Sequence, residues 1–262
     1  MKTAKQKIDN IRQFGYELDF GDTFNKAFEI YKQIAVNAGV AALLFTLVVG
    51  IVMVGTVGAI VGFSSITTSM TDFDLENISS VYVALYVLLI GVFGGLGAPF
   101  TAGLIKMAHC AYTNQDFSIG TAFDYYKGRY FGELFIAIFL ISIVSIGIST
   151  ILDFVLFVPM LGSIINILIS LFTVMTIPLI IFGNLRAVDA IVASCIVVSR
   201  SPLMIVGLII VAILAACVGL IAFCIGAFFT FPIVYATYYS IYVNSVGIDD
   251  KTEMDDIGTE WN

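Results

Sequence analysis

Long apolar runs alternate along this chain with short polar segments, and the run length is that of a lipid-spanning helix. Crossing a hydrocarbon core takes about 20 predominantly apolar residues. Six runs meet or approach that length: 36–63, 81–105, 132–152, 155–183, 204–228 and 230–247. In the fourth, Pro159 and Gly162 predict a turn before the helix proper. The sixth is the least hydrophobic. It carries Tyr235, Tyr238, Tyr239, Tyr242 and Asn244, and tyrosines of this kind suit a membrane interface or a helix-facing surface.

The polar segments have a pattern of their own. Residues 20–33, FGDTFNKAFEIYKQ, open with Asp22 at a helix-capping position and place Phe24, Phe28 and Tyr31 on one helical face. Residues 117–130, FSIGTAFDYYKGRY, repeat the arrangement behind Ser118, with Ala122, Phe123, Asp124, Tyr126 and Lys127 matching Ala27, Phe28, Glu29, Tyr31 and Lys32. The stretch 186–200 leads into the fifth run and keeps little of that pattern. The second, fourth and sixth runs carry a proline in similar company: APF at Pro99, IPL at Pro178 and FPI at Pro232. Proline in a membrane helix removes a backbone donor and frees a carbonyl. A unit of amphipathic helix, span and proline-bearing span therefore recurs. The expected fold is all-α: a polytopic membrane protein with six transmembrane helices in three hairpins, each preceded by a cytoplasmic amphipathic helix. Residues 1–19 form a cytoplasmic N-terminal segment, 20–247 the membrane domain and 248–262 an acidic tail.

Charge sets the expected orientation. Every Lys and Arg lies on one side of the six-run arrangement, whereas the loop 64–80 carries Asp72, Asp74 and Glu76, and Asp153 sits in a second short connection. Positive loops stay in the cytoplasm, which puts both termini there, in a bacterial inner membrane. Composition agrees with a lipid solvent: of 262 residues 60% are hydrophobic and 12% charged, against about 25% charged in soluble domains. The net charge of −7 says little about partners, because the tail holds six acids: Asp249, Asp250, Glu253, Asp255, Asp256 and Glu260. Residues 1–34 lack the apolar core of a secretory signal, so the first span is expected to direct insertion. Cys110, Cys195, Cys217 and Cys224 form no C-x-x-C pair and read as soft packing residues.

Candidate chemistry is sparse. Gly91, Gly95, Pro99 and Gly103 recur every four residues on the second span, a stripe that lets helices approach closely or lines a substrate path through a broken helix; packing is the stronger reading. Lys106, Glu133, Asp153 and Asp189 lie near span boundaries, and span interiors hold no ionisable group. Uncharged polar residues do occur there. They are Asn37, Thr176, a set on one face of the third span (Ser142, Ser145 and Ser149) and a set on one face of the fourth (Asn166, Ser170 and Thr173), positions explained by hydrogen bonds between helices. A polar path along Asn166, Pro178 and Pro232 is the competing reading. His109 is the single histidine; one imidazole cannot build a multi-histidine metal site, and a lone one lacks the partners a general base needs. No G-x-S-x-G, G-x-x-x-x-G-K-[ST] or H-E-x-x-H motif occurs. No catalytic residues, cofactor, metal or nucleic-acid partner is expected. The expected partner is the bilayer, with anionic headgroups met by Lys26, Lys32, Lys127 and Arg129 beside the aromatic faces.

In order along the chain, FGDTFNKAFEIYKQ, the P-F-T-A-G-L of Pro99 to Leu104, NQDFSIGTAFDYYKGRYF, the A-x-x-x-S of Ala190 to Ser194 and FFTFPIVYATYY resemble a broad superfamily of uncharacterised bacterial six-span proteins. That superfamily includes the membrane domain joined to some glycerophosphodiester phosphodiesterases. The resemblance spans most of residues 20–243 and implies fold and location. It brings no mechanism or catalytic residues, and no phosphodiesterase domain is present among these residues, so that activity is not carried over. The functional expectation is a non-enzymatic scaffold or envelope-maintenance component. The alternative is a small transporter or channel for lipid-like or apolar solutes, and an enzyme on lipid substrate is the least favoured.

Overall fold

A computed structural model describes residues 4–61, 80–152, 161–221 and 225–248. Asp72, Asp74, Glu76, Asp153, Pro159, Cys224 and the acidic tail lie outside the described residues. Described elements are helical throughout: α1 (Ala4–Phe14), α2 (Phe20–Val61), α3 (Ser80–Thr113), a 3-10 helix (Ile119–Tyr126), α4 (Tyr130–Thr150), α5 (Leu161–Phe172), α6 (Thr176–Ile181), α7 (Ala187–Arg200), α8 (Pro202–Ile221), α9 (Ile225–Thr230) and α10 (Pro232–Ser245).

Among the described residues, five helical stretches are long and apolar enough to cross a membrane: Phe20–Thr56, Leu88–Thr113, Tyr130–Ser149, Leu161–Ile181 and Pro202–Leu220. Their outer faces are greasy and uncovered. Ile51 on α2, Ile167 on α5 and Leu214 on α8 are each more than 60% exposed, which in water would be costly and in hydrocarbon is not. The sixth run takes another form. It falls almost wholly on α10, since only Thr230 belongs to α9, and α10 has 14 residues, fewer than the roughly 20 needed to span alone. Pro232 begins α10, where its missing donor and fixed φ suit a first turn.

The three expected amphipathic helices also differ from one another. Residues 20–33 are not a separate helix: nothing interrupts hydrogen bonding between them and the first span, and α2 runs unbroken for 42 residues. The second segment is a 3-10 helix, opened where the Ser118 amide donates to Thr121 Oγ1 (3.1 Å). The third is the separate helix α7, ended at Ser201 before Pro202. A further amphipathic helix, α1, lies within residues 1–19, where the hydropathy pattern predicts only a polar segment. It buries Ile8 and Ile11 against the core shared with α7.

The core gathers at one end of the bundle. It draws on Ile30, Ile34 and Ala38 of α2, Leu104, Met107 and Ala108 of α3, Leu179 and Ile180 of α6, Val197 of α7, and Tyr239 and Tyr242 of α10. Basic residues on these same helix ends tie them together. Lys5 pairs with Asp189 (3.0 Å) and Lys106 with Asp124 (3.1 Å). Lys26 donates to Asn244 Oδ1 (2.6 Å), Lys7 to the Gly247 carbonyl (3.3 Å) and Arg129 to Asn184 Oδ1 (2.9 Å). Exposed pairs of this kind contribute about 0–1 kcal/mol each; they set register more than stability.

Candidate functional site

Pro99, Pro178 and Pro232 each create a backbone defect, and each defect is met differently. Pro99 lies inside α3 and cannot donate to the Gly95 carbonyl one turn back; the Tyr126 hydroxyl donates to the next carbonyl, that of Leu96 (2.8 Å). Pro178 lies in α6, just after the non-helical link between α5 and α6. There the buried Ser194 hydroxyl donates to the Phe172 carbonyl (2.7 Å) and accepts the Met175 amide (3.1 Å). Ser194 closes the A-x-x-x-S stretch of the sequence, and a small hydroxyl residue is needed there because it supplies the backbone partners that the broken helix lacks. At Pro232 the break is backed by α2. A Cβ on Gly39 would lie 3.0 Å from the Phe228 carbonyl and 3.1 Å from Phe229 Cα.

Residues beside all three prolines line one partly open cavity of about 470 Å³. Ala98 and Phe100 flank Pro99, Ile177 precedes Pro178, and Phe231 precedes Pro232, which itself lines the wall. Phe45 of α2 stacks on Phe100 at 4.0 Å with the rings 3° from parallel, giving a flat aromatic surface. Gly97 contributes open wall: an added Cβ there would meet nothing within 4 Å. Thr46, Thr101 and Tyr235 are its polar lining residues. Pockets that bury small molecules run about 300–1,000 Å³ and are mostly apolar with a few polar groups, which matches this one in size and chemistry.

A second cavity of about 260 Å³ shares Thr101, Ile138 and Ile177 with the first. It adds Ser145 of α4, Ser170 and Thr173 at the α5 end, and Tyr238 of α10. The two therefore adjoin, one hydrocarbon-walled and one hydroxyl-bearing.

The sequence-derived candidates separate into packing and lining. Gly91 and Gly95 seat aromatic rings: an added Cβ would lie 3.2 Å from the Phe139 ring and 2.8 Å from the Phe135 ring. Those rings belong to a stacked row of Phe131, Phe135 and Phe139 on α4. The numbering rises on α4 as it falls on α3, so the two helices pack antiparallel. Gly103 is the tightest, since a Cβ would lie 2.1 Å from the Ala122 carbonyl; its absence lets the 3-10 helix lie directly on α3. Asn166 lines neither cavity. Its side chain accepts from the Ser145 hydroxyl and donates to Ser149, while Ser149 also donates to the Gly162 carbonyl (3.3 Å), bonding α4 to α5. Pro99 and Pro178 are buried behind the first cavity, and Pro232 lies on it.

His109 is buried. Its Nδ1 lies 2.8 Å from the Tyr239 hydroxyl, and its ring packs 5.0 Å from Phe182 and 5.6 Å from Tyr239, away from both cavities. Among the described residues no group of three or more His, Cys, Asp and Glu side chains is placed to hold a metal ion. Glu133 is occupied: it accepts the Ala187 amide (2.7 Å) at the start of α7. Sequence reasoning did not find Phe45, Phe100 or Gly97 as cavity residues. Their types are ordinary in a membrane bundle, and only α2 meeting α3 and α9 in space makes a wall of them.

The class these features define is an all-helical, membrane-embedded protein with a proline-framed apolar cavity. Comparison with protein-family models, with curated proteins and with solved structures gave no match for this chain.

Proposed function

We propose that this chain is a six-span protein of the bacterial cytoplasmic membrane, non-enzymatic, that binds and conveys a lipid-like or apolar solute in its proline-framed cavity. The observation that carries the reading is the 470 Å³ cavity lined by residues beside all three span prolines. A helix with its backbone broken at a cavity wall is the arrangement by which membrane bundles make room for a solute without exposing polar backbone to lipid. In this reading α9 and α10 together are the sixth span, the three hairpins stand as the sequence suggests, and both termini are cytoplasmic. The basic helix ends gathered by Lys26–Asn244 and Lys5–Asp189 support that topology through the positive-inside rule. The resemblance to the uncharacterised six-span superfamily belongs to the same proposal.

A scaffold or envelope-maintenance role is the second reading, favoured by exposed aromatic side chains beside basic ones. Phe28 is exposed and lies under the Lys32 ammonium at 5.5 Å, and Phe14 is 83% exposed, as suits helices docked in an anionic headgroup layer. A fluorescent acyl probe titrated into purified protein in detergent separates the two. Saturable binding that Gly97→Phe removes is expected from the first reading. Absence of binding to the wild type leaves the scaffold. Reporter fusions at Met70 and Asp255 test topology; the same compartment for both would overturn six spans.

A further inference from the structure

We propose that the two adjoining cavities form one site for an uncharged amphiphile whose head donates a hydrogen bond: a lipid alcohol with an acyl tail. The inference rests on the ligand-binding reading above and names its substrate class. The tail end is set by the first cavity, where Phe45, Phe100 and Phe231 make the walls and Gly97 leaves them open. The head end is set by the second cavity. It contributes the hydroxyls of Ser145, Ser170 and Thr173 beside the shared wall at Thr101, Ile138 and Ile177.

Charge excludes the commoner membrane lipids. Among the described residues, no Asp, Glu, Lys, Arg or His lines either cavity. An ionised phosphate or carboxylate placed there would lose its hydration with no countercharge, which a membrane interior does not tolerate without a paired group. A neutral head loses far less.

Hydrogen-bond arithmetic then fixes the head's polarity. A hydroxyl has one donor and two acceptor positions. All three hydroxyls already spend the donor inside the protein: Ser145 on Asn166 Oδ1, Ser170 on the Ile167 carbonyl (3.1 Å) and Thr173 on the Ile169 carbonyl (2.7 Å). What they turn toward a ligand is acceptor capacity. Toward these three a bound head must supply the hydrogen, which an alcohol does and an ether or ester does not; the Tyr238 hydroxyl on the same wall can donate to the head oxygen of any of them, so the alcohol differs by the bond it donates.

The test is a competition against the fluorescent acyl probe with three competitors of matched tails: dioleoylglycerol, its O-methyl ether and dioleoylphosphatidic acid. Dioleoylglycerol is expected to displace the probe at about tenfold lower concentration than either of the others, the scale of one good interaction. Equal or better displacement by phosphatidic acid overturns the uncharged-head assignment, and equal displacement by the methyl ether overturns the donor assignment. Neither outcome touches probe binding itself, whose absence from the wild type would instead remove the ligand-binding reading. Thr173→Val keeps the shape and removes an acceptor, so the preference for dioleoylglycerol over its ether should shrink; an unchanged ratio in a variant that still binds the probe counts against the proposal. The wild-type comparison needs no variant to fold.

Discussion

Ser194 of α7 and Met175, in the link between α5 and α6, are joined by a hydrogen bond of 3.1 Å from the Met175 amide to the Ser194 hydroxyl. One side chain on a helix outside the spans thereby completes the backbone of a broken one, because the same hydroxyl donates to the Phe172 carbonyl. Removing it leaves both backbone groups without that partner. Ser194→Ala should cost about 1–3 kcal/mol, the usual penalty for a buried group left unsatisfied, read as a lowered unfolding midpoint in detergent. A midpoint equal to wild type would show that water or a local shift replaces the hydroxyl.

The two glycines on either side of Pro99, Gly97 before it and Gly103 after it, should behave oppositely. At Gly103 an added methyl meets the Ala122 carbonyl at 2.1 Å, a backbone atom that cannot step aside, so Gly103→Ala should destabilise by about 1–3 kcal/mol or more through overpacking. At Gly97 an added methyl meets open space, and Gly97→Ala should be neutral or slightly stabilising, since alanine loses less chain entropy in a helix. Paired thermal melts check this directly.

Asn166→Leu removes the bonds to Ser145 and Ser149 at a residue that lines neither cavity and leaves the acyl-tail wall untouched. A loss of about 0.6–1.7 kcal/mol is expected, the range for polar contacts between membrane helices, with probe affinity nearly unchanged. Liposome flux of an apolar solute should likewise be retained. A collapse of flux in this variant would restore Asn166 to a translocation path.

Alkaline pH should loosen the hold of the α1–α2 link on α7. Burial pushes the Tyr16 hydroxyl up from 10.0 to about 12, and that hydroxyl donates to the Val197 carbonyl (3.1 Å). Between those values the unfolded chain releases the proton while the folded chain keeps it, so folding stability falls as pH rises through the window. Tyr126 shifts the same way, to about 12 and also by burial. Tyr16→Phe should flatten the slope of unfolding midpoint against pH above about 10, the ordinary tyrosine value; an unaltered slope would assign it elsewhere.

Much of this was written in local pattern. Runs of apolar residues specify helices in lipid whatever packs beside them, so 132–152 predicts α4 at Tyr130–Thr150 and 204–228 predicts α8 at Pro202–Ile221 within a few residues at their starts. The prolines mark where backbone bonding fails, because a missing donor is a property of the residue. The extent of α2 was not legible, since a polar amphipathic turn and an apolar span share one period and nothing in 20–40 announces whether bonding stops between them. The 3-10 form of Ile119–Tyr126 was not legible either. Its close seat on α3 depends on Gly103, which lies on a different helix.

The sequence by itself determined that this chain is helical, that its solvent is lipid, and where its helices lose backbone bonds, because hydropathy and proline chemistry act within a few residues. Only the tertiary structure decided that the three proline sites face one cavity, that Asn166 bonds helices instead of lining it, and that Ser194 completes the α5–α6 link. Those facts depend on which faces meet across distant segments, and close packing settles that by shape.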